Sequence, residues 1–193
     1  MSTSLEKHVW TQVGDGSKEA YAHLYVFYYK HLYNYGRKFT EDAALLEDAV
    51  QDALLSIWTG RDRLEKIEKP HPYVFSSFRY ILFKKLRQAG RVRSMTEADE
   101  GEPEFGIEHL LVSKDLEAGL KRRLEEAMKS LTDRQREAIF LRFYEGLSYE
   151  EVAEVMDISV KATYKIMSRA LLQLRDTMSF PILTVLLLLR TLA

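Results

Sequence analysis

The stretch SYEEVAEVMDISVKATYKIMSRALLQL, residues 148–174, decides the fold of the second half of this chain. Its apolar residues recur at spacings of three and four, which predicts a short amphipathic helix followed by a longer one. The turn between them holds Asp157, Ile158 and Ser159, and Asp tolerates the left-handed backbone that a tight corner often requires. Two helices joined by so short a turn predict a helix-turn-helix.

The second helix of this motif presents a polar and cationic outer face. In helix-turn-helix proteins that bind DNA, this helix lies in the major groove, where Lys and Arg donate to guanine edges or to phosphates. The alternative is an ordinary helical hairpin whose surface is polar. The residues predicted to face outward are Lys161, Ala162, Tyr164, Lys165, Ser168 and Arg169.

The rest of the chain is also predicted to be helical. Thr132 with Gln135, and Ser148 with Glu151, have the spacing of capping boxes, which mark helix starts. Other helices are predicted over residues 17–40, 41–58, 72–86, 114–130 and 159–177. No segment shows the alternation of β-branched residues that is typical of strands. The predicted fold class is therefore all-α.

Charge is segregated along the chain, although 28 basic and 29 acidic residues leave a net charge of only −1. Residues 61–93 are mainly basic, whereas residues 94–117 are mainly acidic and contain Gly and Pro that interrupt any helical period. We interpret residues 89–112 as an acidic flexible linker between two small helical domains, 13–88 and 113–178. A solvated surface loop is the alternative interpretation of this segment.

Composition and motifs exclude several classes of site. The chain has no Cys, which excludes disulfides, thiolate zinc sites and a cysteine nucleophile. It has no P-loop and no His-Glu-x-x-His motif, and its five His show no ligand spacing, so we predict no catalytic residue, metal or cofactor. The N-terminus lacks a secretory leader, which predicts a cytoplasmic location. The hydrophobic tail, residues 179–193, is too short for stable transmembrane insertion, and we expect it to pack internally or contact a partner.

The basic part of the first domain also carries aromatic residues. After Pro72, rings and cations are interleaved on one predicted helix. Proteins that bind single-stranded DNA use this combination, because bases stack on rings while cations hold the phosphates. Core packing is the alternative explanation for these rings.

Four segments together carry a family resemblance. They are AYAHLYVFYYKHLYNYGRKF (20–39), DAVQDALLSIW (48–58), PYVFSSFRYILFKKLRQ (72–88) and the segment from SLTDRQREAIF at residue 130 through the helix-turn-helix. Over about residues 13–177 the chain resembles the extracytoplasmic-function sigma factors, the smallest class of bacterial RNA polymerase sigma subunits.

The resemblance implies a division of labour. The helix over 48–58 would dock on a coiled coil of the large clamp subunit of the polymerase through Asp48, Gln51, Asp52, Leu55 and Trp58. The loop 59–70 and the helix after it would capture the −10 element as single-stranded DNA through Arg61, Arg63, Tyr73, Arg79, Tyr80, Lys84 and Arg87. Residues 159–169 would read the −35 element as duplex DNA through Ser159 and the six outward residues given above. The implied partners are core RNA polymerase, promoter DNA and an anti-sigma factor.

Four positions depart from the family pattern. Tyr80 and Lys84 stand where the family usually has Asn and Asp, which bears on the −10 preference. Thr132 and Asp157 replace a Pro and a Gly whose backbone geometry they can reproduce. Two other functions stay open: a helix-turn-helix repressor or activator that acts without core polymerase, and a helical adaptor that binds proteins.

Overall fold

The computed structural model describes residues 3–90 and 118–178, which belong to two compact units. All regular structure in these two ranges is helical, so the all-α prediction is confirmed. The predicted acidic linker from residue 91 onward and the hydrophobic tail lie outside the described residues.

The described part of the first unit, residues 3–90, contains four α-helices and one 3₁₀ helix. Three of its helix starts have a local cause, because the side chains of Ser17 and Asp42 accept backbone N–H bonds and Pro70 occupies the first turn of its helix. The elements are α1 (Thr3–Gly14), α2 (Lys18–Gly36), α3 (Ala43–Thr59), the 3₁₀ helix (Arg61–Lys66) and α4 (Pro70–Gln88).

The core of the first unit lies where α3 packs against both α2 and α4. Gly36 permits this close approach, because a Cβ atom at that position would overlap Leu46 and lie 2.9 Å from Phe78 Cζ. Burial of large apolar side chains at this junction supplies most of the stabilisation. The largest fully buried side chains of this unit include Tyr35, Phe75, Phe78, Leu32, Leu46, Leu54 and Ile57.

Two features of the first unit differ from the sequence prediction. No helix is predicted before residue 17, yet α1 packs on α2 and on the 3₁₀ helix and buries Trp10 and Val13. The last helix of the unit begins at Pro70 rather than at Pro72, since a helix accepts Pro anywhere in its first turn.

Residues 118–178, the part of the second unit that the structure describes, contain four further α-helices. Both predicted capping boxes are present, one from Thr132 to Gln135 and one from Ser148 to Glu151. A π-helical turn, Phe140–Tyr144, directly follows the helix that begins at the Thr132 capping box. The helices are α5 (Ala118–Ser130), α6 (Asp133–Ile139), α7 (Tyr149–Met156) and α8 (Val160–Met178), and the first three each pack against α8.

The corner between α7 and α8 has the backbone that its sequence predicts. Asp157 follows α7 with φ 54° and ψ 49°, and it is the one non-Gly residue with positive φ in the described ranges. Thr163, Met167, Ala170 and Leu174 are buried on the inner side of α8. The helix-turn-helix prediction is confirmed, and the opposite side of α8 faces solvent.

Candidate protein and nucleic-acid interfaces

Helix α3 exposes a face of mixed acidic and apolar character. Asp48, Gln51, Asp52 and Leu55 are all exposed, and their spacing of three and four places them on one side of the helix. Leu55 leaves 54% of its surface accessible, although the stripe on the other side of α3 is completely buried. The structure thus brings four of the five candidate docking residues together; we call them the α3 surface.

Trp58, the fifth candidate, is half-buried at the end of α3. Its ring centroid lies 4.8 Å from that of Tyr21, and the Arg61 guanidinium lies over it at 5.0 Å. Arg61 Nη1 also donates to the Trp58 carbonyl oxygen at 3.1 Å. Burial in this cluster raises the pKa of Tyr21. Trp58 therefore anchors the junction between α3 and the 3₁₀ helix.

Lys85 of α4 ties the α3 surface to the neighbouring helix. Its ammonium group forms ion pairs with Asp48 and, at 2.7 Å, with Asp52. The hydrogen bonds that Lys85 donates to Asp48, the larger effect, and to Asp52 raise the pKa of Lys85 above its ordinary value of 10.5. Sequence reasoning missed this contact because Asp48 and Lys85 are 37 residues apart. Both carboxylates stay accessible, with 62% and 49% of their side-chain surfaces exposed.

A cavity of about 650 Å³ lies between α1 and the 3₁₀ helix. Trp10 closes one side of it, and its indole N–H donates to the Leu64 carbonyl oxygen at 3.1 Å. The charged side chains that line the cavity are Lys7, Asp15, Arg61, Asp62, Glu65 and Glu68. Carboxylates outnumber cations in this lining, so the cavity suits an uncharged group that can donate hydrogen bonds better than it suits a phosphate.

The candidate −10 residues divide into exposed and packed side chains. Tyr80 is 66% exposed, and Lys84, Arg87 and Arg63 are also exposed. Tyr73 is half-buried and meets Trp10 edge to face at 6.0 Å, which makes it part of the packing between α1 and α4. The outer side of α4 therefore offers one exposed ring among cations.

Arg79 is in a different environment from the one that the sequence suggests. It is only 8% exposed, and its guanidinium lies over the Phe83 ring at 4.2 Å. A cation held against a ring in a packed site contributes to stability, and it is not presented to solvent. Arg79 is therefore packed in this structure, and its role at the −10 element stays a prediction.

The outward side of α8 carries the candidate −35 residues. Lys161, Lys165, Ser168 and Arg169 are all exposed, and Tyr164 is 51% exposed. Ser159 is exposed as well and caps the helix, since its Oγ accepts from the Ala162 amide at 3.2 Å. Ala162 itself is half-buried. Exposed cations and one exposed ring thus share the N-terminal half of α8.

Searches for two other kinds of site were negative over the residues that the structure describes. Within those ranges no group of three or more His, Cys, Asp or Glu side chains could hold a metal ion. No helix in the same part of the chain is long and apolar enough to cross a membrane.

Comparison with known proteins agrees with this division into two units. The family model for Sigma-70 region 2 matches residues 24–92, and that for Sigma-70, region 4 matches residues 121–174. The ECF RNA polymerase sigma factor SigK of Mycobacterium sp. (strain KMS) is 31% identical over 162 residues, covering 80% of this chain and 80% of the relative. SigK of Mycobacterium tuberculosis (strain ATCC 25618 / H37Rv) is 26% identical over 172 residues, covering 86% and 89%.

Two solved structures share the fold. One is CnrH in complex with the cytosolic domain of CnrY, with a TM-score of 0.57 and 22% identity over 89% of this chain and 95% of that one. The other is the sigma factor RpoE in complex with the anti-sigma factor NepR from Bartonella quintana. It has a TM-score of 0.54 and 23% identity over 78% of this chain and 91% of that one.

Proposed function

Because the chain belongs to the family of extracytoplasmic-function RNA polymerase sigma factors, we propose that its two units divide promoter recognition between them. Members of this family direct transcription initiation and are not enzymes in the catalytic sense. The first unit, extending to about residue 88, docks on core polymerase and captures the −10 element. The second, residues 113–178, reads the −35 element. The chain itself catalyses no reaction and acts in the cytoplasm.

The observation that carries this proposal is the α3 surface. An exposed leucine beside two exposed aspartates and a glutamine suits a partner that offers both apolar and cationic groups. Trp58 bounds this surface at the C-terminal end of α3. A stand-alone repressor or activator would not need the basic, aromatic first unit that carries this face.

For the −10 element, the exposed side of α4 supports capture of a single strand. Tyr80 can stack on an unpaired base while Lys84 and Arg87 approach the phosphates. Arg63 on the 3₁₀ helix is a further exposed cation, and Arg61 of the same helix lies against Trp58. The cavity beside the 3₁₀ helix has room for a flipped base. The carboxylates that line it can accept hydrogen bonds from the exocyclic amino group of such a base.

For the −35 element, the exposed face of α8 supports insertion into the major groove. Lys161 and Lys165 are positioned to donate to guanine edges or phosphates, and Arg169 extends the cationic face. The Ser159 cap leaves the start of α8 exposed, where the helix dipole favours a phosphate. The acidic linker, residues 89–112, passes into a polymerase channel otherwise used by nucleic acid, and an anti-sigma factor controls access to the docking surfaces.

Transcription from a promoter library with purified core polymerase tests the proposal. We expect stoichiometric polymerase binding and new, sequence-specific start sites only when the chain is present. Lys165→Glu should abolish dependence on the −35 element, whereas Arg175→Glu, the same charge change farther along α8, should not. Absence of polymerase binding by the folded chain would refute the proposal.

A second pair of variants tests the α3 surface. Leu55→Arg should weaken polymerase binding at least tenfold, because a cation would replace the exposed apolar group of the interface. Val26→Arg is the matched control, since Val26 is 73% exposed on α2. Equal effects of the two variants would contradict the assignment of docking to α3.

A further inference from the structure

Two tyrosines from different helices form a stack beside the candidate −35 surface. Tyr164 of α8 and Tyr149, the first residue of α7, have ring centroids 4.6 Å apart and planes inclined by 18°. Tyr164 nevertheless leaves 51% of its surface exposed. Offset stacking fixes the orientation of both rings while the outer one stays accessible.

Tyr149, the inner ring of this stack, has a second contact, with Arg142. The Arg142 guanidinium lies over Tyr149 at 5.4 Å, and Arg142 Nη1 donates to the Leu147 carbonyl oxygen at 2.9 Å. The Ser148 capping box fixes the backbone immediately before Tyr149. Tyr149 is therefore a rigid support, and Tyr164 needs little further ordering when it meets a ligand.

Two exposed cations are near Tyr164 in the sequence of α8. Lys161 lies three residues before it, and Lys165 follows it directly; both are exposed. The lysines can serve phosphates and guanine edges, whereas the neutral ring offers a flat apolar surface. The apolar group that the major groove displays is the C5 methyl of thymine.

We propose that Tyr164 determines specificity by contacting a thymine methyl in the −35 element, and that Tyr149 is its positioning residue. This inference rests on the proposed function, since it assigns one contact within the −35 interface. Arg142 acts through Tyr149 and does not touch DNA.

Deoxyuridine substitution tests the contact, because it removes only the methyl group. With holoenzyme formed from core polymerase and the full chain, each thymine of the −35 element, on either strand, is replaced in turn and open-complex formation is measured. We expect one position at which the wild type loses roughly fourfold, the effect of about one buried methyl group. With Tyr164→Ala, the thymine and deoxyuridine templates should form open complexes equally well. Tyr164→Phe should keep the difference between them, because the ring remains.

Variants of the support separate positioning from simple structure. Tyr149→Ala should bring the ratio of open-complex formation on the thymine template to that on the deoxyuridine template toward one. Tyr149→Phe should keep the wild-type ratio because the ring remains. Lys165→Gln should lower binding to both templates and leave their ratio unchanged. A loss of ratio in Tyr149→Phe equal to that in Tyr149→Ala would refute positioning by stacking.

Failure of this inference is distinguishable from failure of the proposed function. If no deoxyuridine substitution matters, or the −35 element contains no thymine, while Lys165→Glu still abolishes −35 dependence, the methyl contact is refuted and the sigma function stands. If transcription shows no −35 dependence at all, both are refuted.

Discussion

Replacing Asp157 by valine should destabilise the second unit by about 1–2 kcal/mol. The residue has φ 54° and ψ 49°, the left-handed region, in which a side chain with a Cβ crowds the following carbonyl oxygen. Asp reduces this cost because its short polar side chain bonds locally, whereas a β-branched side chain bears it fully. Asp157→Gly removes the crowding but loses some of this gain to backbone entropy, so it should stay within about 0.5 kcal/mol of the wild type.

Hydrogen exchange measured by mass spectrometry on the full chain can detect this change. A loss of 1–2 kcal/mol should accelerate exchange of the most protected amides of α7 and α8 by roughly 5- to 30-fold. Both tryptophans, Trp10 and Trp58, belong to the first unit, so the fluorescence-detected unfolding of that unit is an internal control that should not change. Asp157→Gly is the matched variant. Unaltered exchange in Asp157→Val would refute the backbone argument.

Three further variants probe local features. Gly36→Ala should destabilise the first unit by about 1–2 kcal/mol in urea, because its Cβ would lie 2.9 Å from Phe78 Cζ; a higher urea midpoint would contradict this packing. Ser148→Ala should lower the stability of the second unit by about 1 kcal/mol, measured by hydrogen exchange, and Ser148→Asp should keep it near the wild-type value. An equal loss of stability in both variants would count against capping. Lys85→Met should lower the stability of the first unit by roughly 0.5–1.5 kcal/mol in urea, whereas Lys84→Met should not. The raised pKa of Lys85 keeps its ammonium group charged below pH 10.5, and this charge is lost only as the pH rises through that pKa, so an effect of the Lys85 variant that varied between about pH 6 and 9 would contradict the pairing.

The local features were predictable because their causes are local. A capping box is a relation between residues three apart, and the corner at Asp157 depends on the preference of a single residue. The side of α8 that carries Lys161 and Lys165 follows from apolar spacing alone. The helix-turn-helix and the composition of its outer face could therefore be read from the chain.

Helix α1 shows where such reasoning ends. No element is predicted before residue 17, yet Thr3–Gly14 is helical. The helix is stabilised by what it meets in the fold: Trp10 packs against Tyr73 and donates to Leu64, which is 54 residues away in sequence. Tertiary burial of an amphipathic face contributes more to helix stability than intrinsic propensity does.

Spacing and composition are enough to predict an all-helical chain with a helix-turn-helix, segregated charge and a set of residues available for binding. Only the tertiary structure decided which of those residues reach solvent: Arg79 is packed on Phe83, Lys85 is tied to Asp48, and Tyr164 is exposed on its support. The physical reason is that spacing predicts the side of a helix on which a residue lies. What covers that side depends on helices that pack from distant parts of the chain.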